Sequence, residues 1–408
     1  MRLVIFFLSF LAISAAAAEP SPPPAPPLAQ FEPLIAFPQP TQTAVRAVVL
    51  GINWMTRMNQ PQGRFQFGFR PALRQPLEGD HDLKQARAAL AMAQAARFTG
   101  NERQAAVASQ AILALLAVTR IDAMEPNCRR PIVSSQTCNR TGFAAVLALA
   151  IYELPGADDK LVSEAERLCE FLHKQLRTDG SVHYIDSPND SSVAIDPAGV
   201  NEYPGAALQA IAVSHRVKPA AWKNAAVVKG LEHYGTWFKA HPHPLLAASL
   251  TPAFAELFQQ SKSNAAAAAV LEMNDWLAGL QYASGDARHP LWAGGFKSVA
   301  GGRLVESEPG CETGAYLQSL VCAYSVAAMK QDAARTARYK QSLGDAVQFL
   351  CGLQYTELNT RHFENTFRAG TLIGGFFFTP TDGNLRIDST AVAITGLIRF
   401  LTSEAAKN

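Results

Sequence analysis

The chain has 408 residues, a formal net charge of +2 and 48% hydrophobic residues. So near-neutral a balance gives no electrostatic case for nucleic acid or an acidic membrane surface as partner. Apolar content near half, with modest charge, excludes a disordered chain and supports a large buried core.

The N-terminus sets the expected compartment. Met1-Arg2 precede an apolar run from Leu3 to Ile13, followed by Ser14 and the small residues Ala15 to Ala18. An early positive charge, a short apolar stretch and an A-x-A ending have the layout of a secretory signal peptide over residues 1–18. The run is shorter than the roughly 20 residues of a spanning helix. Cleavage after Ala18 and an exported protein, periplasmic or extracellular, with no stable membrane span are therefore expected. Residues 19–40 are rich in proline, which withholds backbone donors and reads as an extended linker. Folding is expected from Thr41, with residues 41–408 as a single domain.

Periodicity with start and stop signals predicts about twelve helices. They fall near 43–59, 80–100, 101–120, 140–153, 158–177, 203–216, 220–239, 246–260, 263–283, 311–329, 332–355 and 388–403. Asp80 and Asp388 stand where N-caps would. Strand signals are confined to short loop pieces such as 374–379. Even-numbered helices are apolar on all faces, as in Phe143–Tyr152 and Ala391–Leu401, which implies burial all round. Odd-numbered ones carry a charged stripe, as in Asp158–Lys174. An inner ring of even helices inside an outer ring of odd ones follows: an all-α, (α/α)6 toroid. Even-to-odd links are short and odd-to-even links mostly long, so the long links share one rim. Long loops in a compact domain are usually functional, and the inner-helix N-termini there carry partial positive charge.

A weak internal repeat supports this reading. Trp276-Leu277-Ala278-Gly279-Leu280-Gln281 leads to Gly294-Gly295-Phe296, and Phe349-Leu350-Cys351-Gly352-Leu353-Gln354 leads to Gly374-Gly375-Phe376. Looser copies run from Phe171 through Gln175 to Gly180, and from Trp54-Met55 to Gly63-Arg64-Phe65. In these residues the chain resembles the repeat of terpenoid cyclase and prenyltransferase-like toroids, with longer gaps between Gln and Gly. The resemblance implies fold rather than chemistry. Cyclases of that family that protonate their substrate use a D-x-D-D cluster. The nearest match, Asp80-His81-Asp82, lacks the fourth carboxylate, which leaves terpenoid cyclisation a minor alternative. In architecture the chain also looks like six-hairpin glycosidases, polysaccharide lyases and sugar epimerases, which bind carbohydrate on the inner-helix rim.

Acidic residues gather at that rim: Asp80, Asp82, Asp196, Glu202, Glu308, Glu312 and Asp388. Sugar cleavage needs one protonated and one ionised carboxyl, and Glu202, Glu312, Asp82 and Asp388 are the candidates. Trp292, Tyr203 and Phe65 are candidate stacking residues, His289 a candidate acid or base, and Arg386, with Arg87, a candidate for a carboxylate such as a uronate. Each also has a structural reading, as cap, barrel plug or internal ion pair. Cys128 and Cys138, ten apart in a proline-containing loop, suit a local disulfide in an oxidising compartment. His241-Pro242-His243 lacks a third ligand, and neither metal nor cofactor is expected. No G-x-S-x-G, G-x-G-x-x-G, P-loop or H-E-x-x-H pattern occurs. The leading expectation is an exported protein acting on or binding a polysaccharide, as a glycoside hydrolase, lyase or epimerase. The rival is a non-catalytic envelope or interaction module using the same rim.

Overall fold

The computed structural model describes residues 25–185, 191–285 and 287–407. The expected signal peptide lies outside the described residues. Twelve long helices carry the fold: α1 (Gln39–Met58), α2 (Asp82–Thr99), α3 (Glu102–Leu116), α4 (Arg140–Glu153), α5 (Asp159–His173), α6 (Tyr203–Val217), α7 (Ala221–Ala240), α8 (Pro244–Ser261), α9 (Asn264–Ala278), α10 (Thr313–Met329), α11 (Ala333–Gly352) and α12 (Ile387–Leu401). Among the described residues, no helix is long and apolar enough to cross a membrane.

The even helices close on themselves. α2 packs on α4, α4 on α6, α6 on α8, α8 on α10, α10 on α12, and α12 returns to α2. Each odd helix lies outside an even one, and the last hairpin is made by the chain ends, α12 against α1. Thr41 fastens that seam, donating its hydroxyl to the Ala406 carbonyl at 2.7 Å. Burial follows composition: α4 is buried from Thr141 through Ile151, whereas α5 buries only Ala165, Leu168, Cys169 and Leu172.

Packing begins earlier than Thr41. Pro27–Phe31 and Leu34–Ala36 form short 3-10 turns, and Phe31, 2% exposed, seats against Phe98 of α2 and Phe37. α1 starts at Gln39 because Pro40 falls in the first turn, where a missing N–H costs nothing.

The repeated motif has one geometry. Asn59 bridges Phe65, Leu176 bridges Val182, Gln281 bridges Phe296, and Gln354 bridges Phe376. Between the arms stand Gly63, Gly180, Gly294 and Gly374, with φ from 85° to 98°. These glycines lie on the backbone of the next outer helix, where a Cβ would collide with the carbonyls of Gln110 in α3, Lys229 in α7, Asp345 in α11 and Leu50 in α1. In two copies the glutamine completes the clamp. Gln354 Nε2 donates to Gly374 O at 3.0 Å and Ala47 O at 2.8 Å; Gln281 Nε2 donates to Gly294 O at 2.9 Å and Ser342 O at 3.0 Å. The returning residues Phe65, Val182, Phe296 and Phe376 are all buried.

Strands are short and peripheral: β1 (Gly68–Arg70), β2 (Gln75–Pro76), β3 (Thr119–Ile121), β4 (Arg129–Pro131), β5 (Ser298–Ala300), β6 (Arg303–Val305) and β7 (Leu385–Arg386). β1 pairs antiparallel with both β2 and β7, β3 with β4, and β5 with β6. Of the piece 374–379, only Phe376 and Phe377 bridge.

The β3–β4 hairpin overturns the expected disulfide, since Cys128 and Cys138 are separate free thiols. Cys128 closes the hairpin tip, its carbonyl accepting from Asp122 N and its amide donating to Glu125 O. The paired strand β4 then carries the chain away at about 3.3 Å per residue. Cys138 ends up at the inner rim, among the groups lining a cavity there.

Replacing Gln354 by Leu leaves the Ala47 and Gly374 carbonyls without their side-chain donor, and the expected loss is roughly 2–4 kcal/mol. Gly374→Ala should cost more, since a left-handed φ and a backbone collision combine. Urea unfolding of both variants checks this; midpoints unchanged from wild type would show that the clamp contributes nothing.

Candidate functional site

Side-chain caps occur in both rings: Asn139 caps inner helix α4 and His243 inner helix α8, while outer helices α1 and α7 have none. Outer helices α3, α5, α9 and α11 are capped by the side chains of Asn101, Asp158, Ser263 and Asp332. Inner helices α2, α6, α10 and α12 have no side-chain cap. Asp80 and Asp388 are therefore not the caps expected. Asp80 lies before α2, accepting from His81 N at 2.8 Å and Gln85 Nε2 at 2.7 Å; Asp388 lies within the first turn of α12. The long links do rise on the rim onto which these uncapped ends open.

All four candidate carboxyls sit at the mouths of inner helices, Asp82 as the first residue of α2. Glu202, immediately before α6, is ion-paired with Arg87 of α2. Asp388, 8% exposed, accepts from Arg386 in a bidentate pair, Nε to Oδ1 at 3.1 Å and Nη2 to Oδ2 at 2.9 Å. Lys84 of α2 reaches its Oδ2 at 3.7 Å. Arg386 lies over the Phe378 ring at 4.8 Å, and Lys84 over Phe67 at 5.2 Å. Burial lowers the pKa of Arg87, with Asp388 and Tyr203 opposing the shift. It lowers that of Lys84 too, against the pull of Asp388.

Glu312 differs from these. It stands just before α10, and its Oε1 accepts from Gly310 N at 3.0 Å. Burial raises its pKa. Tyr316, one turn on, is buried, and burial and then Glu312 push its phenol up. Burial likewise pushes the neighbouring Cys311 thiol up to about 12, so it is no nucleophile at neutral pH.

A cavity of about 340 Å³ opens at Tyr203, the residue after Glu202, lined also by His81, Cys138, Asn139, Arg140, Tyr184 and Asp196 among others. Burial, reinforced by Lys84 and Arg87, lowers the His81 pKa, so the imidazole is neutral at neutral pH. Tyr203 packs against Tyr184 at 5.8 Å between ring centroids and its half-buried side chain lines the cavity.

The remaining candidates have other partners, and of them Phe65 is too deeply buried to stack on a ligand. Asp82 is ion-paired with Arg64, which also holds Asp80 at 2.6 Å, so the D-x-D-D-like residues form a loop clamp. Phe65, 2% exposed, is a core plug whose backbone N–H and C=O both bond to the Gln85 side chain at 2.9 Å. Trp292 and His289 lie face to face at 3.7 Å, with Tyr282 edge-on to Trp292 at 5.3 Å. They pin their own loop, and neither lines the cavity. Lys84 was missed by sequence reasoning; its signal was its place one turn before Arg87 on the same helix.

No family model and no curated protein matches this sequence. Solved structures do match along nearly the whole chain. An unsaturated glucuronyl hydrolase from Bacillus sp. GL1, described as responsible for glycosaminoglycan degradation, superposes with a TM-score of 0.62 at 11% identity, over 89% of this chain and 98% of that one. An α-1,6-mannanase of Salegentibacter sp. HEL1_6 gives 0.57 at 10% identity, over 89% and 99%. Cellobiose 2-epimerase from Bacillus thermoamylovorans B4167 gives 0.59 at 9% identity, over 91% and 98%. The chain has the six-hairpin (α/α)6 toroid fold. At this identity the likeness fixes the fold alone.

Because burial raises the Glu312 pKa above its unfolded value, the folded protein binds that proton more tightly than the unfolded chain does. Its stabilising contribution is full in acid, below the ordinary glutamate range, and is lost as pH rises through the folded pKa. Glu312→Gln keeps an acceptor for Gly310 N–H and removes the buried charge. The variant should match wild type in Tm near about pH 4 and exceed it near about pH 8. An offset independent of pH in a thermal-melt series would show that the carboxyl is not strained by burial.

Proposed function

We propose that this is an exported carbohydrate-active protein that takes a saccharide into the crater at the N-terminal ends of its inner helices and works on it with Glu312 and a second carboxyl. The observation that carries the reading is the contrast between neighbours on α10 and α12. Glu312 is desolvated and holds its proton more tightly than usual, whereas Asp388 faces two cations. Carboxyls in such unlike environments divide naturally into acid and ionised partner. In glycoside hydrolysis, Glu312 would give its proton to the leaving glycosidic oxygen as the C–O bond breaks. Asp388 or Glu202 would act as the ionised partner toward water or the sugar. Tyr203 supplies an aromatic face in the adjoining cavity. Solved structures of the same fold include a glucuronyl hydrolase, a mannanase and an epimerase, which supports carbohydrate as the substrate class. The signal-like layout of residues 1–18 supports export.

A second reading, a non-catalytic saccharide-binding module, is favoured by the ion pairs that engage Glu202 and Asp388. One experiment separates the two. Purified protein is offered a panel of polysaccharides and oligosaccharides, with binding and product release both read. For an enzyme, wild type releases product from at least one member, and Glu312→Gln lowers turnover by about 10²–10⁴ with little change in affinity. Binding without product release supports the module. Neither binding nor release across the panel would overturn the carbohydrate reading.

A further inference from the structure

We infer that Tyr316 is a further substrate-binding residue of the crater, its phenol hydroxyl donating to a sugar hydroxyl next to the oxygen that meets Glu312. The inference rests on the crater being a saccharide site and names a group that touches the occupant. Tyr316 follows Glu312 by one turn of α10, so the two share a face of that helix. A long helical side chain leans back toward the N-terminus of its helix. That lean carries the Tyr316 hydroxyl up toward the mouth, where Glu312 and Cys311 both act on it electrostatically. The ring is fixed from the side. Phe296, the returning residue of the Gln281 clamp, meets it edge-on with centroids 5.2 Å apart.

A buried tyrosine ordinarily gives its hydroxyl to a protein partner. Tyr152, Tyr184, Tyr234, Tyr282, Tyr339 and Tyr355 all do so here. Tyr203 lines the cavity, and Tyr324 stands near Glu404 toward the far end of α10. Tyr316 is 5% exposed, yet among the described residues its hydroxyl has no hydrogen-bond partner. Thr313 and Ser389, at the mouths of α10 and α12, have unpartnered hydroxyls that are sealed from solvent. The Tyr316 hydroxyl is not sealed in this way, so it meets open space. Burial, then Glu312 and Cys311, raise the phenol well above its ordinary pKa, so at neutral pH it keeps its proton to donate. A neutral donor suits an uncharged acceptor, and hydroxyls are what a sugar presents at most of its ring carbons.

Tyr316→Phe keeps the ring against Phe296 and removes only the hydroxyl. Because that hydroxyl has no protein partner, the variant should melt at or slightly above the wild-type temperature. A fall of several degrees would show it bonded within the protein, and would overturn the inference whatever the crater binds. The ligand readout uses nitrophenyl glycosides of glucose, galactose, mannose and xylose, in both anomers, each beside its monodeoxy forms. The measure is kcat/KM for those cleaved and Kd for those only bound. For at least one parent sugar the variant should lose about tenfold. For the one deoxy form that lacks the partner hydroxyl, wild type and variant should be equal, as a double-mutant cycle requires. A variant equal to wild type on every parent sugar overturns the inference and leaves the crater a saccharide site. So does a loss of the same size on every deoxy form. Neither binding nor cleavage of any member would sink both readings.

Discussion

A ring of helices must hold its outer members at a fixed spacing, or the inner ring cannot close. Here a glycine with left-handed φ, set in a loop that leaves one outer helix, lies directly on the backbone of the next. A side chain of any size would push the two helices apart. Four loops use this contact, joining α1 to α3, α5 to α7, α9 to α11 and α11 back to α1. The glutamines at 281 and 354 then convert close approach into hydrogen bonds. The remaining long link, from α3 to α4, uses the β3–β4 hairpin instead. These clamps fix where each loop rises, and so where the rim's side chains can reach.

Helix ends are satisfied in more than one way, and caps are found in both rings. An outer helix capped by its own Asn, Asp or Ser has its first orphan donors satisfied and needs nothing further. The rim carboxyls of the inner ring are not used that way. Glu202 and Asp388 turn to cations drawn from α2 and from the residue before α12, and Glu312 turns to backbone amides. These carboxyls stand at helix N-termini without capping them.

Arg87 shows how the fold makes the site. It sits one helical turn beyond Lys84, an ordinary basic pair on α2. Only the closure of α12 onto α2, with α6 across the ring, places it among Glu202, Tyr203, Asp388 and Cys311. Its partner Glu202 is 115 positions away in the chain, a separation over which no local pattern carries information.

The sequence by itself determined the twelve helices, the order of inner and outer rings and the side on which the long links emerge. Those follow from periodicity and composition, which are local: α4 is apolar on every face, α5 on one, and a helix buries what it cannot hydrate. It also carried the repeat, because Gln354 and Gly374 do their work through backbone contacts that only those residue types make well. Tertiary structure alone decided which rim residues do what. Phe65, Trp292 and Tyr203 are alike as aromatics beside a loop, yet one plugs the core, one stacks on His289 and one lines the cavity. Cys128 and Cys138 are close in sequence, but a paired strand separates them. Asp82 and Asp388 both fall in the first turn of an inner helix, and one is bound into a loop clamp while the other is held by Arg386 and Lys84. In each case what differs is the partner supplied by another hairpin, and that partner exists only once the ring has closed.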